Sequence, residues 1–243
     1  MMLIDGHAHS SAISGCCRIS GKDGIDAAKK AGLDGFVLTN HYHKDYVGGE
    51  KFPTLEIFAQ KYVEEYRELK EYGDSVGFQV LFGVELTSGW DSSVHLLIYG
   101  VDETFVLQNP DLFQYSLEEL YSLVHGAGGI LVQAHPYRGT PRLQDLKFLD
   151  GVELSCHPHP HYLGPFVEEL KEIAEKNGKI LTCGGDYHAD VPYRPQCGIY
   201  VPEWVTDTKQ FADYLTSESS TVLRVHLPYG EVFDLPYTRM IGK

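Results

Sequence analysis

Short apolar runs rich in β-branched residues alternate along this chain with longer amphipathic stretches. The runs are LIDGH (3–7), GFVLTNH (35–41), FQVLFGVEL (78–86), HLLIYG (95–100), GILVQAH (129–135), GVELS (151–155) and KILTCGGD (179–186). Their length and content predict strands. Between them, GIDAAKKAGL (24–33) and TLEIFAQKYVEEYRELKEY (54–72) repeat apolar residues at helical spacing. SLEELYSLVHGAG (116–128) opens with Ser116 and Glu119, a capping-box pattern, and FVEELKEIAEKNG (166–178) ends in the helix stop Asn-Gly. Residues 197–243 predict a short strand (GIYVP), a helix (DTKQFADYL) and a closing strand (TVLRVHL).

Strand alternating with helix predicts an α/β fold with parallel strands and helices outside, either a doubly wound sheet or a barrel. No Gly-rich loop follows the first strand, which argues against a dinucleotide-binding sheet. No linker, repeat or low-complexity tract divides the chain, so one domain over 1–243 is expected.

Composition narrows the function classes. The formal net charge is −14, with no basic run, which argues against non-specific nucleic-acid binding. No apolar run approaches the roughly 18 residues of a membrane helix, and no cleavable leader is visible, so a cytoplasmic protein is expected. The five cysteines, Cys16, Cys17, Cys156, Cys183 and Cys197, follow no disulfide spacing and read as free buried thiols.

Twelve histidines are many for this length, and their positions matter more than their number. His7 and His9 end the first run, where residues i and i+2 point the same way. His41, Glu85, His135, Asp186 and His188 also fall at the ends of predicted strands. In a parallel α/β barrel those ends converge on one face, where active sites are built. His95 is the exception, because it begins its strand. Imidazoles and carboxylates without a cysteine tetrad suit Zn²⁺, Mn²⁺ or Fe²⁺ in an open catalytic site.

The motifs H-x-H, T-N-H, G-V-E followed ten residues later by H-L-L, A-H-P and G-D-x-H occur in an order that resembles the PHP (polymerase and histidinol phosphatase) family over residues 3–200. The resemblance implies a distorted (β/α)7 TIM-like barrel and a metal-dependent phosphoesterase with two or three divalent ions. It implies that His7, His9, Glu85 and Asp186 hold the first ion. Glu85 would bridge to a second held by His95 and His135, and His41 and His188 would hold a third. The family usually supplies another ligand where this chain has Ser14 and Gly15. Cys16 follows, either as a soft ligand or as an ordinary buried thiol.

These residues lead to a small-molecule phosphomonoesterase as the expected function. A metal-bridging hydroxide would be the nucleophile, with Asp186 orienting it and serving as base. His188, His43 or a water would protonate the leaving group. Arg138, three residues past His135, is the expected phosphate-binding cation; Arg18 and Lys44 read as surface charges. Asp5 is a candidate partner for an imidazole N–H. CHPHPHY (156–162) places His157, His159 and His161 at the substrate entrance, as ligands of another metal, or in a Pro-stiffened exposed loop. The alternatives are an amidohydrolase acting on C–N or lactone bonds and a non-catalytic metal-bound module. Many amidohydrolases bridge their metals with a carboxylated Lys, and neither FQVLFGVELTS nor HLLIYG contains one.

Overall fold

The computed structural model describes the chain except residues 140–141, 160–165, 190, 193, 229 and 240–243. Each apolar run becomes strand, and two of them break in the middle. GFVLTNH forms β2 (Gly35–Leu38) and β3 (His41–Tyr42), while FQVLFGVEL forms β4 (Gln79–Phe82) and β5 (Val84–Thr87). The remaining runs give β1 (Met2–Ala8), β6 (His95–Tyr99), β7 (Ile130–Gln133), β8 (Gly151–Ser155) and β9 (Ile180–Gly184). The breaks are held by α2 (Leu55–Val76), whose Tyr62 hydroxyl lies 2.7 Å from the Asn40 carbonyl and 3.0 Å from that of Gly83. The two bends turn His41 and Glu85 side by side, in register between β3 and β5.

The helices form where their periodicity places them. α1 (Gly21–Lys30), α4 (Leu117–Gly126) and α5 (Val167–Lys176) each bury one stripe against the strands. The capping box at α4 is complete: Ser116 N–H donates to Glu119 Oε2 at 2.9 Å, and Glu119 N–H donates to Ser116 Oγ. Replacing Ser116 by Ala is expected to cost about 1 kcal/mol of stability, read as a lower urea midpoint. An unchanged midpoint would remove the cap from the account.

Among the described residues two six-stranded sheets result, one ordered β12 (Val232–Thr238), β11 (Ser220–His226), β10 (Gly198–Val201), β1, β2, β4 and the other β3-β5-β6-β7-β8-β9. The expectation of parallel strands needs correction at two places. β6 runs antiparallel to both β5 and β7, so its first residue lies at the rim where they end: His95 pairs with Thr87. The strand-start position of His95, an exception in the sequence, is therefore no exception in space. The C-terminal part, β10 (Gly198–Val201), β11 (Ser220–His226) and β12 (Val232–Thr238), is an antiparallel extension beside β1, with α6 (Thr208–Ser217) between β10 and β11. TVLRVHL is thus not the closing strand, because β12 pairs with it along its length. A short helix, α3 (Glu103–Gln108), also went unpredicted.

The two sheets meet where β1 lies beside the chain just past β9. Ala8 and Tyr187 form a parallel bridge, and Asp186 N–H donates to the His7 carbonyl at 2.9 Å. Close approach depends on Gly184, where a Cβ would lie 2.4 Å from His7 Cβ and 2.9 Å from Glu153 Oε1. Among the described residues no helix is long and apolar enough to cross a membrane.

Candidate metal centre

Glu85 is fully buried, and its carboxylate lies among five imidazoles. Oε1 lies 2.7 Å from His95 Nδ1 and 3.0 Å from His135 Nε2. Oε2 faces His41 Nδ1 at 2.5 Å, His7 Nε2 at 3.4 Å and His9 Nε2 at 3.5 Å. Asp186 closes the other side, with Oδ1 3.0 Å from His9 Nε2 and 3.5 Å from His7 Nε2. His188 completes the group, its Nε2 3.4 Å from His41 Nε2. The ligating atoms of His7, His9, Glu85 and Asp186 lie within 4.8 Å of one another, as do those of His41, Glu85 and His95, and of His9, His41 and His188. His7, His9, His41, Glu85, His95, His135, Asp186 and His188 all converge at the rim.

Hydrogen bonds fix which face each imidazole presents. Asn40 Oδ1 accepts from Ser10 N–H at 2.8 Å, which orients that amide, so the Ser14 hydroxyl must donate to the same oxygen at 2.8 Å. Ser14 Oγ also accepts from His41 N–H at 3.0 Å. At 3.3 Å from His9 Nδ1, the same Oγ can act only as acceptor, so His9 presents the Nε2 lone pair to Asp186. His188 donates its Nδ1–H to the Asp186 carbonyl at 2.8 Å and likewise presents Nε2. His7 Nδ1 bonds Glu153 Oε1 at 2.8 Å, leaving Nε2 toward Glu85 and Asp186. Ser14, standing where a further ligand is usual, serves as a hydrogen-bond hub that aims His9.

Electrostatics follow from this crowding. Burial alone would raise the carboxyl of Glu85, but His41, His7 and His95 hold it well below the usual range. Burial opposes ionisation of Asp186 too, and His7 and His188 keep it well below. Burial, with His188 and His41, keeps His9 neutral. A neutral imidazole lone pair facing a carboxylate oxygen at 3.0 Å is repulsive unless a cation lies between them. His7 Nε2, His41 Nδ1 and Glu85 Oε2 are buried without any hydrogen-bond geometry. Buried polar atoms are seldom left so, and this donor set fits divalent ions. His135 (φ 28°) and Asp186 (φ 45°) hold left-handed backbone, a conformation β-carbon sterics disfavour, which places stored strain at two residues of the cluster.

The structure adds residues the sequence did not single out. Glu153 accepts from His7 and, through Oε2, from His135 N–H at 3.0 Å, tying the segments that carry these two histidines together. It sits in GVELS, and the same four letters GVEL carry Glu85, a signal that could have found it. Glu153→Gln is expected to weaken metal affinity about 10- to 100-fold, measured by chelator competition; unchanged affinity would detach Glu153 from the centre. Asp5 does not meet an imidazole. Its Oδ1 accepts from His7 N–H at 2.9 Å and Gly185 N–H at 2.7 Å, and its Oδ2 pairs with buried Arg194 at 2.8 Å.

A cleft of about 600 Å³ opens over the centre. Cys16, His43, Tyr46, Arg138, His157 and His159 line it with His41, His95 and His188. Cys16 is exposed as a residue, contrary to a buried thiol, and it lines the cleft beside His188 and His41. Burial would raise that thiol, but the two imidazoles bring it down to about 6. Half-buried Arg138 reaches to 3.5 Å from His95 Nε2. His43 Nδ1 accepts from Asp45 N–H at 3.0 Å, so its proton sits on Nε2. His157 is buried, its ring 5.9 Å from that of His188, and His161 lies outside the described residues. Arg18 and Lys44 are exposed, as expected of surface charges.

No protein-family model matches the chain, and no curated protein matches it significantly. Solved structures do. A putative metal-dependent phosphoesterase from Bifidobacterium adolescentis aligns with a TM-score of 0.53 at 19% identity, covering 88% of this chain and 95% of that one. A two-domain protein from Bacteroides vulgatus containing a predicted PHP-like metal-dependent phosphoesterase aligns at 0.56 and 16%, covering 92% and 58%. An amidohydrolase from Chromobacterium violaceum aligns at 0.60 and 16%, covering 87% and 96%. In fold, this chain is similar to PHP-like metal-dependent phosphoesterases and to an amidohydrolase, with a buried His/Glu/Asp cluster suited to a multinuclear metal site.

Proposed function

We propose that the chain is a metal-dependent phosphoesterase acting on small phosphomonoesters, in a single domain. β2 with β3 and β4 with β5 each serve as one bent stave, so that seven staves form a distorted (β/α)7 barrel around the centre. The observation that carries the functional reading is the division of Glu85. One oxygen faces His95 and His135, and the other faces His7, His9 and His41. That is the arrangement a carboxylate bridging two cations needs. His7, His9, Glu85 and Asp186 would hold one ion and Glu85, His95 and His135 a second. His41 and His188, with the Cys16 thiol, would hold a third. Zn²⁺, Mn²⁺ and Fe²⁺ suit these donors.

Bound there, the ions supply positive charge for phosphoryl oxygens and make water nucleophilic near neutral pH. The chain supplies the rest. Asp186 stays ionised and is placed to orient the attacking water and take its proton. Arg138, at the mouth, matches two phosphoryl oxygens with its planar guanidinium. His43 presents an Nε2–H for a hydrogen bond to the substrate, and the leaving group would take its proton from water.

Phosphate release from a phosphomonoester panel tests this reading. Arg138→Met is expected to raise KM about tenfold or more, the worth of a charge-assisted pair, with a smaller change in kcat. The amidohydrolase similarity supports a second reading, hydrolysis of C–N or lactone bonds. Glu85 at the bridging position, with no Lys in its strand or the next, favours the phosphoesterase. Metal-dependent amide or lactone hydrolysis without phosphate release would reverse that preference.

A further inference from the structure

Away from the histidine cluster, three cysteines meet. Cys156 follows β8, Cys183 lies in β9 and Cys197 precedes β10, so three separate segments deliver them. All are buried, and their sulfurs lie within 4.8 Å of one another. Cys156 Sγ and Cys183 Sγ are 3.4 Å apart. β11 covers them: His226 N–H donates to Cys156 Sγ at 3.4 Å, and Cys183 Sγ lies 3.2 Å from the Arg224 carbonyl.

We propose that Cys156, Cys183 and Cys197 form a three-sulfur site for a soft, thiophilic ion, Cu(I) among those a cell supplies. A metal–sulfur bond of about 2.3 Å in a trigonal plane sets sulfurs about 4 Å apart, which lies between the 3.4 Å from Cys156 to Cys183 and the 4.8 Å within which all three sulfurs fall. Thiolates select Cu(I) and Zn²⁺ over harder ions. Structural zinc almost always takes four protein ligands, and among the described residues no fourth histidine, cysteine or carboxylate joins this group. Three sulfurs suffice for Cu(I). Each sulfur that binds as thiolate releases its proton to water, and no electron moves. Asp5, whose charge acts on Cys183 and Cys197, is itself paired with Arg194.

The site lies behind the candidate catalytic centre and is independent of the function proposed for it. Cys183 is three residues before Asp186, and Cys156 adjoins His157. An ion held there ties the segment entering β10 to the ends of β8 and β9, and so braces the turn that carries Asp186.

The test is anaerobic titration of the full, reduced chain, its divalent ions in place, with Cu(I) against a chromogenic Cu(I) chelator. The expected result is one Cu(I) per chain, with a sulfur-only first shell in X-ray absorption. Cys183→Ser and Cys197→Ser should each weaken binding at least tenfold, and Cys16→Ser should not. Nitrogen in the first shell, dependence on Cys16, or no uptake would overturn the site. The X-ray absorption result on the unaltered chain decides the question even where a serine variant fails to fold. A Cys156–Cys183 disulfide recovered from protein purified without oxygen would also overturn it.

Discussion

Glu85→Gln is expected to strip the centre of its ions and abolish turnover while leaving the fold in place. The substitution keeps the volume and removes one charge from a fully buried carboxylate that five imidazoles face. A neutral amide cannot bridge two cations, and one of its two ends presents hydrogens where a lone pair is required. Losing the ions forfeits several kcal/mol of transition-state stabilisation, about a thousandfold or more in rate. His41 reports the change independently. Burial disfavours its charge, yet Glu85 and Cys16 raise it to about 10. In ion-free Glu85→Gln the imidazole should titrate at clearly lower pH by NMR. A variant that kept its full ion content and activity would separate Glu85 from the chemistry.

Arg194→Leu carries the largest expected effect on stability. Arg194 and Asp5 form a fully buried ion pair at 2.8 Å, and Asp5 in turn clamps the backbone of His7 to that of Gly185. Removing the guanidinium leaves an uncompensated buried carboxylate, which costs about 3–5 kcal/mol near neutral pH. Burial already raises the Asp5 carboxyl above its ordinary value despite Arg194, and loss of the cation raises it further. The folded state then binds the proton more tightly than the unfolded chain does. The variant's stability therefore falls as pH rises, and its deficit narrows as pH drops toward the ordinary aspartate value near about 4. Asp5→Asn in the same background should recover much of the loss, since it removes the stranded charge. A pH-independent deficit in urea unfolding would mean that packing, not charge, holds this corner.

Both variants concern residues that differ in how far the sequence revealed them. Glu85 was legible because it is a carboxylate at the end of an apolar strand, where only function or a partner justifies it. His7, His9, His41, His135, Asp186 and His188 were legible for the same reason. His95 was placed by its motif, and its strand-start position made sense once β6 proved antiparallel. Glu153 stayed hidden because GVELS reads as one more buried strand, and a carboxylate facing inward shows itself only through its partners. Arg194 stayed hidden in a polar, proline-flanked loop, since its pairing with Asp5 spans 189 residues. Ser14 marked a departure from the expected pattern, and its actual work depends on Asn40 and His41, which tertiary structure alone brings to it.

The strands were likewise legible where apolar runs are unbroken and less so where they bend. The breaks after Leu38 and Phe82 leave no composition signal, because Tyr62 stabilises them from a different element. β12 was missed because VFDLPYT contains Pro236, which a sheet edge tolerates and a sequence pattern penalises.

The proposed function requires at least two divalent ions bridged within the histidine and carboxylate cluster. Elemental analysis of the unaltered chain, purified from metal-replete cells without chelators, tests it most directly. Two or three transition-metal ions per chain are expected, falling below one in Glu85→Gln. Protein that is folded, pure and free of bound transition metal would contradict it.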